Sequence, residues 1–539
     1  MEGLAHKLLD PTGFFRGLEL VSTRGTMGEA DAVKTRRLAD EVVACDRIDW
    51  LSITDNAGGN PMMSPTTLGK PILYAGQEVL IHLSCKDLNR NSLESTAWQL
   101  ASEGFHNILA LSGDYPGAGY HGHARPVFDL DSVGLLSLLQ EMNSGLGTGR
   151  RRKDGTNRHL ERTRFFVGAV TTNFKLHENE VVPQYLKLAR KIELGARFII
   201  TQVGYDARKQ HEQLLYVKRR NLAHVPLIGS VYLLNAGTAR FFNGGNVPGV
   251  VVSDALLETC QRQAGAPDKG RAFFRELAAK QSAILKGLGY RGSYFSGIHR
   301  FGDLERILEI EATFGPDDWK DFAREVRFSR PGEFFLLAED PATGLADEAR
   351  LSPGYDASRR NRPGGLHLGY RFSKRVHDLA FTPGRGLTPL ATRLYSRAKD
   401  TTQGPRGLRV VERLSKEAMF ACKDCGDCSL PETTFLCPES QCAKNQRNGP
   451  CGGTRDGLCE AGEFECIWAR AYDRRRSEGT ELDLVSHAPV IQDHALRGTS
   501  SWANTYLGRD HMSKRTVEPK ALPDTSSGPT GKGTVDAAS

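Results

Sequence analysis

Between residues 16 and 298, short apolar runs alternate with longer helix-like stretches, and few architectures tolerate that alternation. The runs fall at 16–21, 49–53, 78–84, 107–111, 165–172, 197–203, 225–231 and 290–298. Continuous apolar runs of this length read as strands buried on both faces of a parallel sheet. Helices are expected at 30–45, 91–103, 131–143, 181–194 and 254–288, and from Asp303 onward. Gly195 closes the fourth of these, where a left-handed residue is favoured. Eight strand–helix units in about 300 residues predict an α/β fold, a (β/α)8 TIM barrel. Such barrels keep their chemistry at the carboxyl ends of the strands. The fourth run shows the pattern most clearly. Asn107 to Leu111 is mostly apolar, Ser112-Gly113-Asp114 breaks the run, and Tyr115-Pro116-Gly117 turns the chain away.

Composition narrows the function. The formal charge is +7, from 71 basic and 64 acidic residues, too diffuse over 539 residues to indicate a nucleic-acid binder. No apolar run approaches the roughly 20 residues needed to span a membrane. The start, Met-Glu-Gly-Leu-Ala-His-Lys, lacks a signal-peptide pattern, so a cytoplasmic location is expected. The Gly-rich basic stretch 144–164 reads as a solvated loop. Residues 336–407 are rich in Arg, Pro and Gly with little sustained periodicity, and read as a connector. The expected division is a barrel at 1–330, a connector at 331–410, a Cys-rich domain at 411–480 and a tail at 481–539, disordered from about Ser513.

Within the barrel, Glu19 lies inside the first apolar run. A carboxylate there is expensive to bury without a task or a partner. Desolvation raises its pKa, which suits a general acid near neutral pH, while pairing with a barrel Lys or Arg is the structural alternative. Gln202 ends the sixth run and can donate and accept at once, as the amide-like edge of a pterin requires. Asp114 is placed to accept from ring or amino N–H groups. Thr54 and His82 end or approach the ends of neighbouring strands and are candidates for contacting a flat cofactor. Ser112 and Gly113 flank the same position as Asp114.

Eight of the 11 cysteines lie between Cys422 and Cys466, whereas Cys45, Cys85 and Cys260 are scattered. The cluster reads Cys422-x2-Cys425-x2-Cys428, then Cys437-Pro438, Cys442, Cys451, Cys459 and Cys466. Two-residue gaps let successive thiolates turn inward on one small centre. Eight cysteines suit two [4Fe–4S] clusters, and equally two tetrahedral zinc sites.

The barrel stretch resembles the methylenetetrahydrofolate reductase family over about residues 10 to 310. The resemblance rests on Leu18-Glu19-Leu20, His82-Leu83-Ser84-Cys85, the run from Asn107 to Pro116, and Ile200-Thr201-Gln202. It implies reduction of 5,10-methylenetetrahydrofolate to 5-methyltetrahydrofolate, or the reverse, on a flavin. Glu19 would then protonate the bridging nitrogen, Asp114 would lie near flavin and pterin, and Gln202 would hold the pterin. Thr54, His82, Ser112, Gly113, Asp114 and Lys191 would contact the flavin, with Lys191 a phosphate partner. Ser112 stands where the bacterial form usually has Arg, and Thr171-Thr172-Asn173-Phe174 replaces an Ala-Tyr-Pro pattern, so FAD and FMN both stay open. The cysteine stretch, with Arg447-Asn448-Gly449-Pro450-Cys451-Gly452-Gly453, resembles the Cys-rich C-terminal domain found in partner subunits of acetogen reductases of this family. It implies electrons relayed through two [4Fe–4S] clusters from NAD(P)H or a ferredoxin-like protein. A homo-oligomer is expected, with no nucleic-acid or membrane partner. The alternative is a non-redox, pterin-binding methyl-transfer subunit with a zinc-stabilised docking domain.

Overall fold

The computed structural model describes residues 3–151, 156–360, 368–382, 384 and 386–513. Eight strands close a barrel: β1 (Phe15–Leu20), β2 (Trp50–Ile53), β3 (Glu78–Ser84), β4 (Asn107–Leu111), β5 (Phe166–Thr171), β6 (Phe198–Thr201), β7 (Leu227–Tyr232) and β8 (Gly292–Ser296). Every neighbouring pair is parallel, and each strand lies between its neighbours in sequence, with β8 closing on β1. The TIM barrel is therefore present, followed by a C-terminal region dense in cysteines.

Two apolar layers hold the barrel. Leu51, Ile81, Ile108, Val167 and Ile199 face outward into the helical shell. Trp50, Leu80, Leu109, Phe166, Phe198, Ile228 and Tyr294 fill the interior together with Leu4 and Leu8 of α1 (Leu4–Leu9), which plugs the floor. Gly17 makes room for this filling, because a Cβ there would lie 2.1 Å from the Trp50 ring. Side chains pack the lower barrel, so only the carboxyl ends of the strands remain for chemistry.

Three stretches differ from expectation. Residues 254–288 form two helices, Asp254–Gln263 and Arg271–Leu288, parted by Gly265, Pro267 and Gly270. The 144–164 loop contains an exposed antiparallel pair, Gly147–Arg151 with Asn157–His159. The connector contains helices at Pro353–Arg360, Leu368–Ala380 and Thr388–Ser396. They are short and separated by Pro and Gly, which hides their periodicity. Residues 481–513 pack against the cysteine region, burying Leu484, Val485, Asn504 and His511. The disorder expected of the tail concerns residues 514–539, outside the described residues. Among the described residues no helix is long and apolar enough to cross a membrane.

Candidate active site at the barrel mouth

Glu19 sits in β1 with its side chain in the barrel, half-buried. Tyr294 of β8 donates its hydroxyl to Glu19 Oε2 at 3.0 Å and lies 3.3 Å from His82 Nε2 of β3. Ser52 Oγ of β2 is 2.8 Å from the same imidazole nitrogen. Four strands thus contribute one polar cluster above the apolar floor. Burial lifts the Glu19 carboxyl to about 7, against the opposing pull of the Tyr294 hydrogen bond. Burial lowers His82 to about 4, so the imidazole is neutral at physiological pH. Among the described residues no Lys or Arg pairs with Glu19, so near neutrality a substantial fraction of the carboxyl carries its proton.

The loops after β2 and β4 interlock beside this cluster. Asp114 Oδ2 accepts from Gly58 N–H at 2.8 Å, and Gly59 O accepts from Gly117 N–H at 2.9 Å. Gly113 has φ +86° and its Cβ would lie 2.3 Å from Ser84 Oγ, so glycine is required there. Thr54 Oγ1 accepts from Ser22 N–H at 3.2 Å. Asp55, one residue on, is raised to about 6, chiefly by burial.

Gln202 follows β6 directly, and its Oε1 accepts from the Val203 N–H at 2.9 Å. Lys191, on helix α3 (Glu178–Glu193, after α2, Ser132–Ser144), is buried and donates to Val170 O at 2.7 Å. Burial, with help from nearby Lys187, lowers its pKa to about 7. Glu19, Asp114 and Gln202 therefore share the carboxyl-end face of the barrel. Around them the Thr171 and Thr172 hydroxyls, Gln184 Nε2 and Ser296 Oγ are buried without a hydrogen-bond partner. Each such atom costs about 1–3 kcal/mol unless water or a ligand meets it. A polar ligand with donors and acceptors along its edges, such as a flavin or a pterin, fits that inventory.

The cysteine region lies against this same mouth. Lys444 Nζ donates to Gly113 O at 2.7 Å, and Ser112 Oγ to Gln446 Oε1 at 3.2 Å. Asp131, the N-cap of α2, accepts from Asn448 N–H at 2.9 Å and from its side-chain amide. Lys187 of α3 donates to Gly449 O at 3.1 Å and Pro450 O at 3.0 Å. Lys175 donates to Gly452 O at 2.6 Å and to Thr454 O. This is why α3 buries Gln184, Lys187, Arg190 and Lys191: a second surface covers its polar side.

The eight cysteines separate into two quartets. Cys422, Cys425, Cys428 and Cys437 line one space of about 280 Å³, with Lys416 and Arg447 in its wall. Cys442, Cys451, Cys459 and Cys466 line a second space of about 20 Å³, with Lys444 and Gln446 in its wall. The second quartet is the inner one, since Lys444 and Gln446 are the residues that touch the β4 loop. All eight thiols are free of disulfides. Backbone N–H groups of Asp424, Gln446 and Gly453 each point at a cysteine sulfur at 3.4 Å, while burial pushes the Cys422 and Cys442 thiols up. Among the described residues no group of three or more His, Cys, Asp or Glu side chains is already arranged to hold a metal ion. Four thiols around each space make the donor set of a tetrathiolate centre, which suits an iron–sulfur cluster and a zinc ion alike.

Sequence reasoning missed Tyr294 and Ser52, since a Tyr or Ser inside a barrel strand carries no distinctive signal. It also missed Lys175 and Lys187, which look like ordinary polar residues until their burial is seen.

Comparison with known proteins identifies a family. A family model described as methylenetetrahydrofolate reductase matches residues 18–268, and one described as methylene-tetrahydrofolate reductase C terminal matches residues 406–494. No curated protein matches the chain. Among solved structures, the chain is similar to an uncharacterized protein from Clostridium thermocellum that binds two copies of 5-methyl-5,6,7,8-tetrahydrofolic acid, at 15% identity and TM-score 0.41, covering 57% of this chain and 97% of that one. It is also similar to 7,8-dihydropteroate synthase from Vibrio fischeri ES114, at 12% identity and TM-score 0.30, covering 56% of this chain and 94% of that one. With both family models in chain order, together spanning more than half of its length, the chain belongs to the methylenetetrahydrofolate reductase family and is an enzyme of that type.

Proposed function

We propose that this chain reduces 5,10-methylenetetrahydrofolate to 5-methyltetrahydrofolate, or runs the reverse oxidation, at the carboxyl-end mouth of the barrel. A bound flavin, FAD or FMN, supplies hydride transfer to the one-carbon unit. The observation that carries the reading is Glu19, a carboxyl held near 7 with no cationic partner among the described residues. Near neutral pH a substantial fraction of it is protonated, and its proton goes to the bridging nitrogen of the folate, opening the ring toward the electrophile that accepts hydride. Tyr294 orients the carboxyl through Oε2, and the neutral His82 adds no charge that would draw its proton away. Gln202 offers its side-chain amide to the pterin edge. Asp114, fixed by Gly58 N–H, places a carboxylate beside ring N–H groups. Thr54, Ser112, Gly113 and Lys191 would form the remaining surface for the flavin.

The cysteine quartets support delivery of electrons to the mouth through [4Fe–4S] clusters, with NAD(P)H or a ferredoxin-like protein as donor. The same four-thiol sets also support a second reading, structural zinc. Flavin, iron, sulfide and zinc analysis of anaerobically purified protein tests both. The relay calls for one flavin, with about eight irons for two clusters or about four irons and one zinc for a mixed pair. Protein that turns over folate with neither flavin nor iron would sink the proposal and leave the non-redox methyl-transfer alternative.

A further inference from the structure

We propose that an acidic one-electron carrier protein docks on three helices that lead into the outer cysteine quartet: α4 (Leu368–Ala380), α5 (Thr388–Ser396) and α6 (Arg406–Phe420). The inference rests on the electron relay proposed above. Each helix turns its polar or aromatic anchors inward. Tyr370 and His377 of α4 lie 6.0 and 5.8 Å from the Phe435 ring, two residues before Cys437. Tyr395 of α5 lies 5.1 Å from Tyr506 of the short helix Ser501–Tyr506, and Glu412 of α6 accepts from Ser500 and Ser501 at 2.6 and 2.7 Å.

The outward faces are apolar. Leu368 and Phe372 of α4 are 82% and 60% exposed, Leu390 of α5 is 67% exposed, and Leu414 of α6 is 63% exposed. A solvent-facing apolar surface on three successive helices marks an interaction site. Its charge selects the partner. Residues 368–420 carry 11 Lys and Arg against four Asp and Glu, an excess of seven that equals the formal net charge of the entire chain. Arg371, Arg375, Arg393 and Arg397 are exposed among the apolar positions. Two such faces repel each other, which disfavours a second copy here. Residues 514–539 contain three large aliphatic side chains, Val517, Leu522 and Val535, and four basic against three acidic residues, so they complement neither property. An acidic protein complements both. α6 runs directly into Cys422, and Arg409, Arg413 and Lys423 rim the outer space, so a carrier seated here meets the outer quartet first. Two reduced carriers each give up one electron. With two protons from solvent, these convert the methylene of the folate to methyl and leave two oxidised carriers.

The test uses the anaerobically purified full chain and a strongly acidic bacterial ferredoxin as probe. Binding is followed by biolayer interferometry at several salt concentrations, and reduction of the protein by reduced ferredoxin is compared with reduction by methyl viologen. The double variant Arg375→Glu/Arg393→Glu should weaken ferredoxin binding and slow ferredoxin-driven reduction at least tenfold. It should also flatten their salt dependence and leave viologen-driven reduction unchanged. Phe372→Ser/Leu390→Ser should do the same without altering the salt slope. Unchanged ferredoxin binding in both double variants would overturn the docking site while the relay stands. So would a shift from dimer to monomer in sedimentation caused by these same substitutions. Protein lacking iron and flavin would overturn the relay and the docking site together.

Discussion

The barrel mouth and the cysteine region are built on opposite principles. In the mouth, each polar side chain is placed by a strand end, and eight strands repeat the same geometry. Glu19, Ser52, His82 and Tyr294 meet because four neighbouring parallel strands each turn a polar side chain into the barrel near one point. The cysteine region has no such repeating frame. Its thiols are placed by loops, and its position depends on lysines reaching from the barrel into carbonyls: Lys175 to Gly452 and Thr454, Lys187 to Gly449 and Pro450. Side-chain placement set by a repeating scaffold survives local change, whereas placement held by a seam of buried charges depends on every member of it.

Substitutions can break this contrast at either side. The largest effect belongs to the mouth. Glu19→Gln keeps the hydrogen-bonding shape but removes the proton, so steady-state folate turnover should fall by about 10²–10⁴-fold, with flavin content unchanged. The seam comes next. Lys187→Met strands two buried carbonyls and should lower stability by about 1–3 kcal/mol. Limited proteolysis should then cut first between residues 442 and 466 while the barrel stays intact. Simultaneous loss of both would contradict the separation drawn here. Gly452 has φ +94° and lies against Thr172, a Cβ there reaching to 3.6 Å of Thr172 Cγ2. Gly452→Ala should cost about 1–2 kcal/mol from backbone strain and loosen the same seam, read as a smaller shift in the denaturation midpoint.

The smallest effect concerns the far edge of the cysteine region. His511 donates to Asp427, which lies between Cys425 and Cys428, and its pKa rises from 6.5 to about 9 despite burial, through Asp427 and Glu432. A group raised on folding stabilises fully below its unfolded pKa. This contribution is therefore whole below about 6.5 and lost as pH climbs through 9. His511→Gln should remove that limb from the profile of melting temperature against pH. An unchanged limb would assign it to another group.

Strand placement was readable wherever a chemical break marked the edge. β3 and β4 match expectation residue for residue, since Gly76-Gln77 and His106 precede them and Ser112-Gly113 ends β4. β7 begins at Leu227 instead of Val225 because Pro226 has no N–H for the ladder. Glu19 stood out because a charge inside an apolar run demands an explanation. The partition of the cysteines did not stand out, since loops decide which thiols converge and spacing alone allows several groupings. Nor did the burial of α3, whose Lys187 acquires its partners only when Gly449 and Pro450 fold over it.

The account's central claim is that a protonated Glu19 limits folate chemistry at this mouth. Its most direct test is a single-turnover experiment on pre-reduced protein mixed with 5,10-methylenetetrahydrofolate across pH 5 to 9. The claim predicts a rate that falls as pH rises through about 7 in the unmodified chain, and a slow, pH-independent rate in Glu19→Gln. Equal rates and identical pH profiles in the two proteins would contradict it.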